Sequence, residues 1–248
     1  MFDTKRLLDQ FLGAGGVQGG GSSGDIVNRG RDYLQSNAGG LAGGAAAGGL
    51  VALLLGTKGG RKFTKKAVTY GGMALVAGLA YKAYRDWQSG GGTPHQEDRS
   101  AQGAEPEVLP PPSDSAFSPE RMPGGETALG LKLLTAMIAA AKADGHIDAQ
   151  EQSRLFDKLD HLDLDAEAKA FVMDELRAPL DIGRVVQNAE TSEEALEIYA
   201  ASRLSIDPDH PAEKAYLQML AARLKIEPGL VAEVDRAVEE AQGSGQSF

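Results

Sequence analysis

The chain has 248 residues, no cysteine and a formal net charge of −10. The lack of cysteine excludes disulfides, thiolate metal sites and a cysteine nucleophile. The negative balance argues against nucleic-acid binding by the chain as a whole, because phosphate contacts need clustered Lys and Arg. The charge is unevenly spread, with 11 basic and 5 acidic residues in 1–88 but 12 and 24 in 126–248. Composition predicts four parts: 1–37, 38–87, 88–125 and 126–243.

The first part, 1–37, is an amphipathic and flexible segment. Its opening stretch "MFDTKRLLDQFL" places Phe2, Leu7, Leu8 and Phe11 on one side of a helix, which predicts a short surface-seeking helix. No continuous apolar run follows the basic residues, so the stretch is not a signal peptide. A Gly/Ser linker and a second short helix complete this part.

The second part, 38–87, contains two apolar runs separated by a basic loop. The first, "AGGLAGGAAAGGLVALLLG", covers 38–56 without a charge, close to the ~20 residues that a membrane-spanning helix needs. Its glycines recur every fourth residue and form a flat stripe that lets another helix approach closely. The second run, 67–81, ends among aromatic and basic residues typical of a membrane–water interface. The pattern predicts a glycine-zipper membrane hairpin that self-associates; the alternative is a water-soluble glycine-rich tract.

The third part, 88–125, holds much Pro, Gly, Ser and Glu and few large apolar residues. Such a segment buries too little surface to offset the entropy of ordering it. We therefore expect a disordered linker between the membrane hairpin and the acidic part.

The fourth part, 126–243, has apolar residues at intervals of three and four without strand alternation, which predicts an all-α bundle of seven helices. The first helix carries Leu133 and Leu134 on its apolar face. Helix-start signals mark the six that follow: Asp148, Asp165, Asp181, Thr191 with Glu194, Pro211 and Pro228.

Two joints between these helices resemble each other and carry the candidate metal ligands. The first is "KADGHIDAQE" and the second is "SIDPDHPAEK". In each, a helix rich in alanine runs into spaced acidic residues before a new helix begins, as an internal duplication would produce. The candidate ligands are Asp144, Asp148, Glu151, Asp207, Asp209 and Glu213.

Helix capping explains part of this pattern. Gly145 can end one helix, Asp148 with Glu151 forms a capping box, and Asp209 lies at a helix start. Capping does not explain Asp144 or Asp207, because a carboxylate at the carboxyl end of a helix is unfavourable. These two are the favoured ligands for a divalent cation.

A cation site shared by the two joints requires that their carboxylates lie close together. The Asp144 and Asp207 carboxylates must lie within roughly 5–6 Å of each other to share a cation. The spacing differs from that of an EF-hand. His146 and His210 occupy comparable positions in the two joints, so a transition metal is the alternative to a hard cation.

The segments "ADGHID" and "IDPDHPAEKAYL" resemble the tellurite-resistance TerB-like helical domain, in the form of the domain-of-unknown-function 533 family of YebE-type inner-membrane proteins. The resemblance covers about 126–241, and the glycine-rich basic front matches that family's layout. It implies a helical bundle with two similar halves, an acidic cation site, a location in the bacterial inner membrane and a loose link to envelope or metalloid stress.

Together these observations predict a membrane-anchored, non-enzymatic helical module that binds a divalent cation or a protein partner through its acidic joints. One alternative is a metal-dependent hydrolase that uses the same carboxylates as general acid and base. Another is a purely structural interaction domain without metal. No nucleophile triad or phosphate-binding loop is present in the sequence.

Overall fold

The computed structural model describes residues 4–11, 72–90, 108–143, 166–206 and 211–243. These residues form α-helices and one 3-10 helix, Pro119–Arg121, and contain no β-strand, which confirms the all-α prediction. The α-helices are α1 (Thr4–Phe11), α2 (Gly72–Gln88), α3 (Gly125–Ala141), α4 (Ala166–Arg177), α5 (Ile182–Gln187), α6 (Ser192–Ser205), α7 (Pro211–Arg223) and α8 (Pro228–Gly243). Six of the seven bundle helices that the sequence predicts are among them, and the one expected to begin at Asp148 lies outside the described residues.

The helix starts follow from local chemistry. The Asp181 carboxylate accepts a hydrogen bond from the Arg184 amide at 3.2 Å, and the Thr191 hydroxyl accepts one from the Glu194 amide at 3.1 Å. These bonds satisfy amides that have no partner within their own helix. Proline opens α7 and α8, where its missing amide hydrogen costs nothing.

Helix α6 lies at the centre of the bundle. Every residue from Glu194 to Ser205 is buried, and α2, α3, α7 and α8 all contact it. Small side chains such as Ala200 and Ala201 let neighbouring helices approach closely. The buried Ser202 hydroxyl donates a hydrogen bond to the Ile198 carbonyl of its own helix at 2.9 Å. A helix buried on all sides is the core of the domain.

Residues 72–81 of the second apolar run lie in a core helix, α2, which differs from their predicted place in a membrane hairpin. In α2, Leu75, Val76 and Leu79 are buried, and the helix runs antiparallel to α8. Ion pairs fix this packing: Lys82 lies 3.1 Å from Glu240 and Asp86 lies 3.3 Å from Arg236.

Among the described residues, no helix combines the length and apolar character needed to cross a bilayer. The first apolar run, 38–56, lies outside those residues. A short apolar run such as the second one suits a protein core as well as a lipid environment, so its sequence alone does not distinguish the two.

Part of the expected disordered linker is also packed. We call residues 108–124 the strap. Its Val108, Phe117 and Met122 are buried, and the Phe117 ring lies 5.4 Å from that of Tyr84. The strap passes directly over Gly78 of α2, where a Cβ atom would overlap with the Leu109 carbonyl. A few well-placed apolar side chains therefore anchor a segment whose average composition predicts disorder.

Helix α1 packs against α3 and α2 instead of standing free at the surface. Leu7 and Leu8 are fully buried, and Thr4 lies close to Gly130, where an added Cβ would be 3.1 Å from the Thr4 Cβ. Leu7 and Leu8 of the predicted apolar face are therefore confirmed as apolar contacts, but protein covers them; Phe2 and the Phe11 side chain lie outside the described residues.

Candidate functional site

Helices α3 and α6 form a parallel pair, and their contacts occur in the same order along both. A cleft of about 330 Å³ is lined by Met122 and Pro123, just before α3, and by Thr191 at the start of α6. Further along, Lys132 and Glu194 are 2.8 Å apart, and then Ser202 of α6 lies 3.5 Å from the Ala136 carbonyl of α3. The carboxyl ends of the two helices therefore lie at the same end of the bundle.

Each acidic joint follows one of these two helix ends. The last described residues before the joints are Ala143, beyond α3, and Ile206, beyond α6. The structure thus places the beginnings of the two joints at one end, which we call the acidic end. Five of the predicted ligands lie outside the described residues: Asp144, Asp148, Glu151, Asp207 and Asp209.

The sixth predicted ligand, Glu213, lies in the first turn of α7 and is half-buried. A carboxylate at this position also suits a helix amino end. Within the described ranges, no group of three or more His, Asp or Glu side chains is arranged to hold a metal ion. The predicted distance between Asp144 and Asp207 remains a prediction.

Lys142 anchors the acidic end on the α3 side. Its ammonium group donates to the carbonyls of Glu175, at 3.1 Å, and of Ala178, at the carboxyl end of α4. Burial lowers the pKa of Lys142, and the Glu175 carboxylate acts in the opposite direction. The residue two positions before Asp144 is therefore tied to a second helix end.

Arg203 anchors the acidic end on the α6 side. Its guanidinium is almost completely buried and donates to the Ile206 carbonyl at 3.2 Å, the last described residue before Asp207. The same group lies 3.4 Å from Asp235 and 3.3 Å from Glu239 of α8. Ion pairs of Arg203 thus connect the joint after α6 to the last helix, α8.

Tyr199 completes this polar cluster by donating its hydroxyl to Asp235 at 3.1 Å. Burial raises the pKa of Asp235, and the nearby Arg203 guanidinium acts in the opposite direction. Burial, together with the Asp235 charge, also raises the pKa of Tyr199. The cluster is a structural link between α6 and α8.

Two buried carboxyl groups lie one turn apart on α6. Glu194 is fully buried and bonded: Lys132 lies 2.8 Å away, and the Glu190 amide donates to it at 2.8 Å. The charges and hydrogen bonds of Glu190 and Glu194 outweigh burial and raise the pKa of Lys132. The capping box predicted at Thr191 and Glu194 is present, although the glutamate binds the amide one residue before the cap.

Glu197 is also fully buried, but neither carboxyl oxygen has a hydrogen-bond partner within the described part of the chain. Burial, followed by the charges of Glu194 and Glu193, raises the pKa of Glu197 well above its usual range. Sequence reasoning passed over this residue. The available signal was a glutamate between Leu196 and Ile198, inside the apolar run of a helix.

Comparisons with known proteins place the chain in one family. The family model described as "Protein of unknown function (DUF533)" matches residues 40–238. An "Uncharacterized protein in ampR 5'region" from Yersinia enterocolitica is 30% identical over 113 residues, which are 46% of this chain and 81% of that protein. No solved structure gives a significant match. The match spans the glycine-rich part and the helical bundle together, and the chain belongs to the DUF533 family.

Proposed function

We propose that this chain is a non-enzymatic, membrane-associated helical module that binds a divalent cation at its acidic end. The observation that carries the proposal is the parallel packing of α3 and α6. It makes both acidic joints begin at the same end of the bundle. An antiparallel pair would have sent them to opposite ends, and a shared site would then have been excluded.

The ligand chemistry favours the use of both joints. Ca²⁺ takes roughly six to eight oxygen ligands, many of them carboxylate. Each joint contributes three carboxylates, so the two together offer six. Asp144 and Asp207 are the ligands that helix capping does not explain, and they follow the anchored residues Lys142 and Arg203 closely in the chain. These anchors would limit the rearrangement needed to bind the ion.

The proposed membrane association is based on the first apolar run, 38–56. This run is uncharged and has the small-residue stripe that favours close helix packing in lipid. The expected location is the bacterial inner membrane, as the sequence resemblance implies. The bundle would then present its acidic end to ions or to a partner near the membrane surface.

Thermal melting of the purified full-length chain tests the cation site. Ca²⁺, Mg²⁺, Mn²⁺ or Zn²⁺ should raise the melting temperature, since a ligand at one hundred times its Kd stabilises the folded state by about 2.7 kcal/mol. Asp144→Asn and Asp207→Asn should each weaken that shift. Glu120→Gln, an exposed change in the 3-10 helix near the start of α3, is the matched control and should keep the wild-type response.

Two results would count against the cation site. One is an unchanged wild-type melting temperature with all four metals, which leaves capping as the sufficient role of the joints and favours a metal-free interaction domain. The other is an equal loss of response in Glu120→Gln, which would show that only the overall negative charge matters.

A further inference from the structure

Two buried carboxyl groups on α6 differ in their hydrogen-bond partners. Glu194 and Glu197 both have no solvent exposure. Glu194 has an ammonium group and a backbone amide as partners, whereas neither oxygen of Glu197 has any in the described part of the structure. An unbonded carboxylate inside a protein is strongly disfavoured, so it keeps a proton instead.

The charges that face Glu197 reinforce this preference. On α6 itself they are the carboxylates of Glu193 and Glu194. The one basic residue of α3 is Lys132, which is already held between Glu190 and Glu194.

The described basic groups of the other helices that pack against α6 have acidic partners of their own or are exposed. Lys82 of α2 pairs with Asp86 and Glu240, and Arg236 of α8 pairs with Asp86, Glu233 and Glu240. Arg203, on α6 itself, pairs with Asp235 and Glu239, and Arg85 of α2 is exposed. Lys214 and Arg223 of α7 are exposed at the surface. Of the two buried carboxyl groups, the Lys132 ammonium group therefore binds Glu194 and leaves Glu197 without a positive partner among the described residues.

We infer that Glu197 is a proton-binding site that couples the packing of α6 to pH. The neutral acid is accommodated in the interior of the bundle, where every residue of α6 from Glu194 to Ser205 is buried. Loss of the proton places a second negative charge beside Glu194 in the same buried region. The first turns of α6, which carry both residues, then pack less stably against α3.

The direction of the pH dependence follows from the raised pKa of Glu197. The folded state holds this proton at pH values where the unfolded chain has released it. Stability therefore falls as pH rises from the ordinary glutamate value of about 4.3 towards the folded pKa. A single proton changes the unfolding equilibrium constant by at most about tenfold per pH unit in that window.

The test uses the full-length chain and two matched variants. Unfolding by urea is measured from pH 4.5 to pH 8.5 for wild type, Glu197→Gln and Glu193→Gln. The amide in Glu197→Gln has nearly the same shape but does not ionise, so the decline of stability with rising pH should be reduced by up to tenfold per pH unit in the unfolding constant. Glu193→Gln removes a neighbouring charge on the same helix and should keep most of the wild-type slope.

Hydrogen exchange and carboxyl titration supply the second readout. Amides in the first turns of α6 should exchange faster, relative to α8, as pH rises in wild type but not in Glu197→Gln, after correction for intrinsic exchange rates. In wild type, the carbon-13 signal of the Glu197 carboxyl should titrate at higher pH than those of exposed glutamates.

The carboxyl titration needs no variant, so it tests whether Glu197 binds its proton more tightly even if Glu197→Gln does not fold. Parallel stability profiles for wild type and Glu197→Gln, or titration of Glu197 together with the exposed glutamates, would overturn the inference.

Discussion

At the scale of single residues, the Lys132–Glu194 pair is the most consequential contact in the centre of the bundle. The Glu194 side chain is fully buried and the Lys132 side chain is 13% exposed, so the pair is poorly screened by solvent. Glu194 also accepts from the Glu190 amide and so helps to form the start of α6. One buried carboxylate thereby connects α3 to the first turn of the central helix.

We expect Lys132→Met to lower the free energy of unfolding by about 3 kcal/mol, because it leaves a buried carboxylate without its cation. Adding Glu194→Gln should recover part of that loss, since the uncompensated charge is then gone. Urea unfolding at pH 7 measures both. Lys5→Met removes an exposed pairing with Glu126 and should change stability by less than about 1 kcal/mol. A Lys132→Met loss no larger than that of Lys5→Met would contradict this account.

Residues whose role is local could be predicted from the sequence. Asp181 and Thr191 act as helix caps in the structure, because capping depends only on the next three residues. The unpartnered burial of Glu197 could not be predicted. It depends on the four helices that contact α6 and on which carboxyl Lys132 reaches, and neither is encoded in the spacing along α6.

At the scale of elements, the strap and α2 stabilise each other. Val108, Phe117 and Met122 are buried only because α2 and its neighbours are present, and the Tyr81 ring lies 5.9 Å from that of Phe117. Gly78 permits the approach, since its missing side chain leaves room for the strap backbone. Periodicity predicted an apolar helix here, but whether lipid or protein covers its apolar surface depends on a segment about 30 residues further along the chain.

Gly78→Ala should lower stability by about 1–3 kcal/mol, since the new methyl group overlaps with the Leu109 carbonyl and forces backbone movement. The strap should also become more susceptible to limited proteolysis. The control is Gly229→Ala in α8, where a Cβ would meet only side-chain atoms of Trp87, at 3.3 Å and 3.5 Å. Its stability should stay within about 1 kcal/mol of wild type. Equal proteolysis of the strap in both variants would show that Gly78 is not the contact that holds it.

At the scale of the whole molecule, the two apolar runs of the glycine-rich part can be tested separately. The second run supplies α2 and belongs to the bundle, as the burial of Leu75, Val76 and Leu79 shows. The proposed membrane association then depends on the first run, 38–56. The family match begins at residue 40 and includes both runs, so they occur together with the bundle in one recognisable unit.

Deletion of 38–56 should move the expressed protein from the membrane fraction to the soluble fraction and leave its helical melting transition in place. Trp87, the single tryptophan, reports the packing of α2 against α8 in that variant. Deletion of 72–88 should abolish cooperative melting, because each large apolar side chain lost from the core contributes about 1.5–3 kcal/mol. Circular dichroism and fractionation without detergent measure both. Persistence of the first variant in the membrane fraction would mean that 38–56 is not the anchor.

The candidate site was only partly predictable at this scale. The sequence shows two similar joints and identifies Asp144 and Asp207 as the residues that capping leaves unexplained. Their relative placement depends on whether the helices before them run in the same direction, which is a tertiary property. The structure shows that the two helices run in the same direction, because Lys132 contacts Glu194 and, further along both helices, Ala136 contacts Ser202.

The parallel arrangement of α3 and α6 has an electrostatic consequence of its own. Each helix carries the equivalent of roughly half a negative charge at its carboxyl end. In an antiparallel pair these fields largely cancel, but in this pair they add at the acidic end. Lys142 and Arg203 place positive charges near those ends, where Lys142 binds carbonyls at the end of α4 and Arg203 binds the Ile206 carbonyl, and these charges offset part of the field. These two carboxyl ends therefore favour cations where the joints begin, whereas the amino end of α7, which follows the second joint, acts in the opposite direction. The part of the attraction that comes from the carboxyl ends should survive in the Asp144→Asn and Asp207→Asn variants.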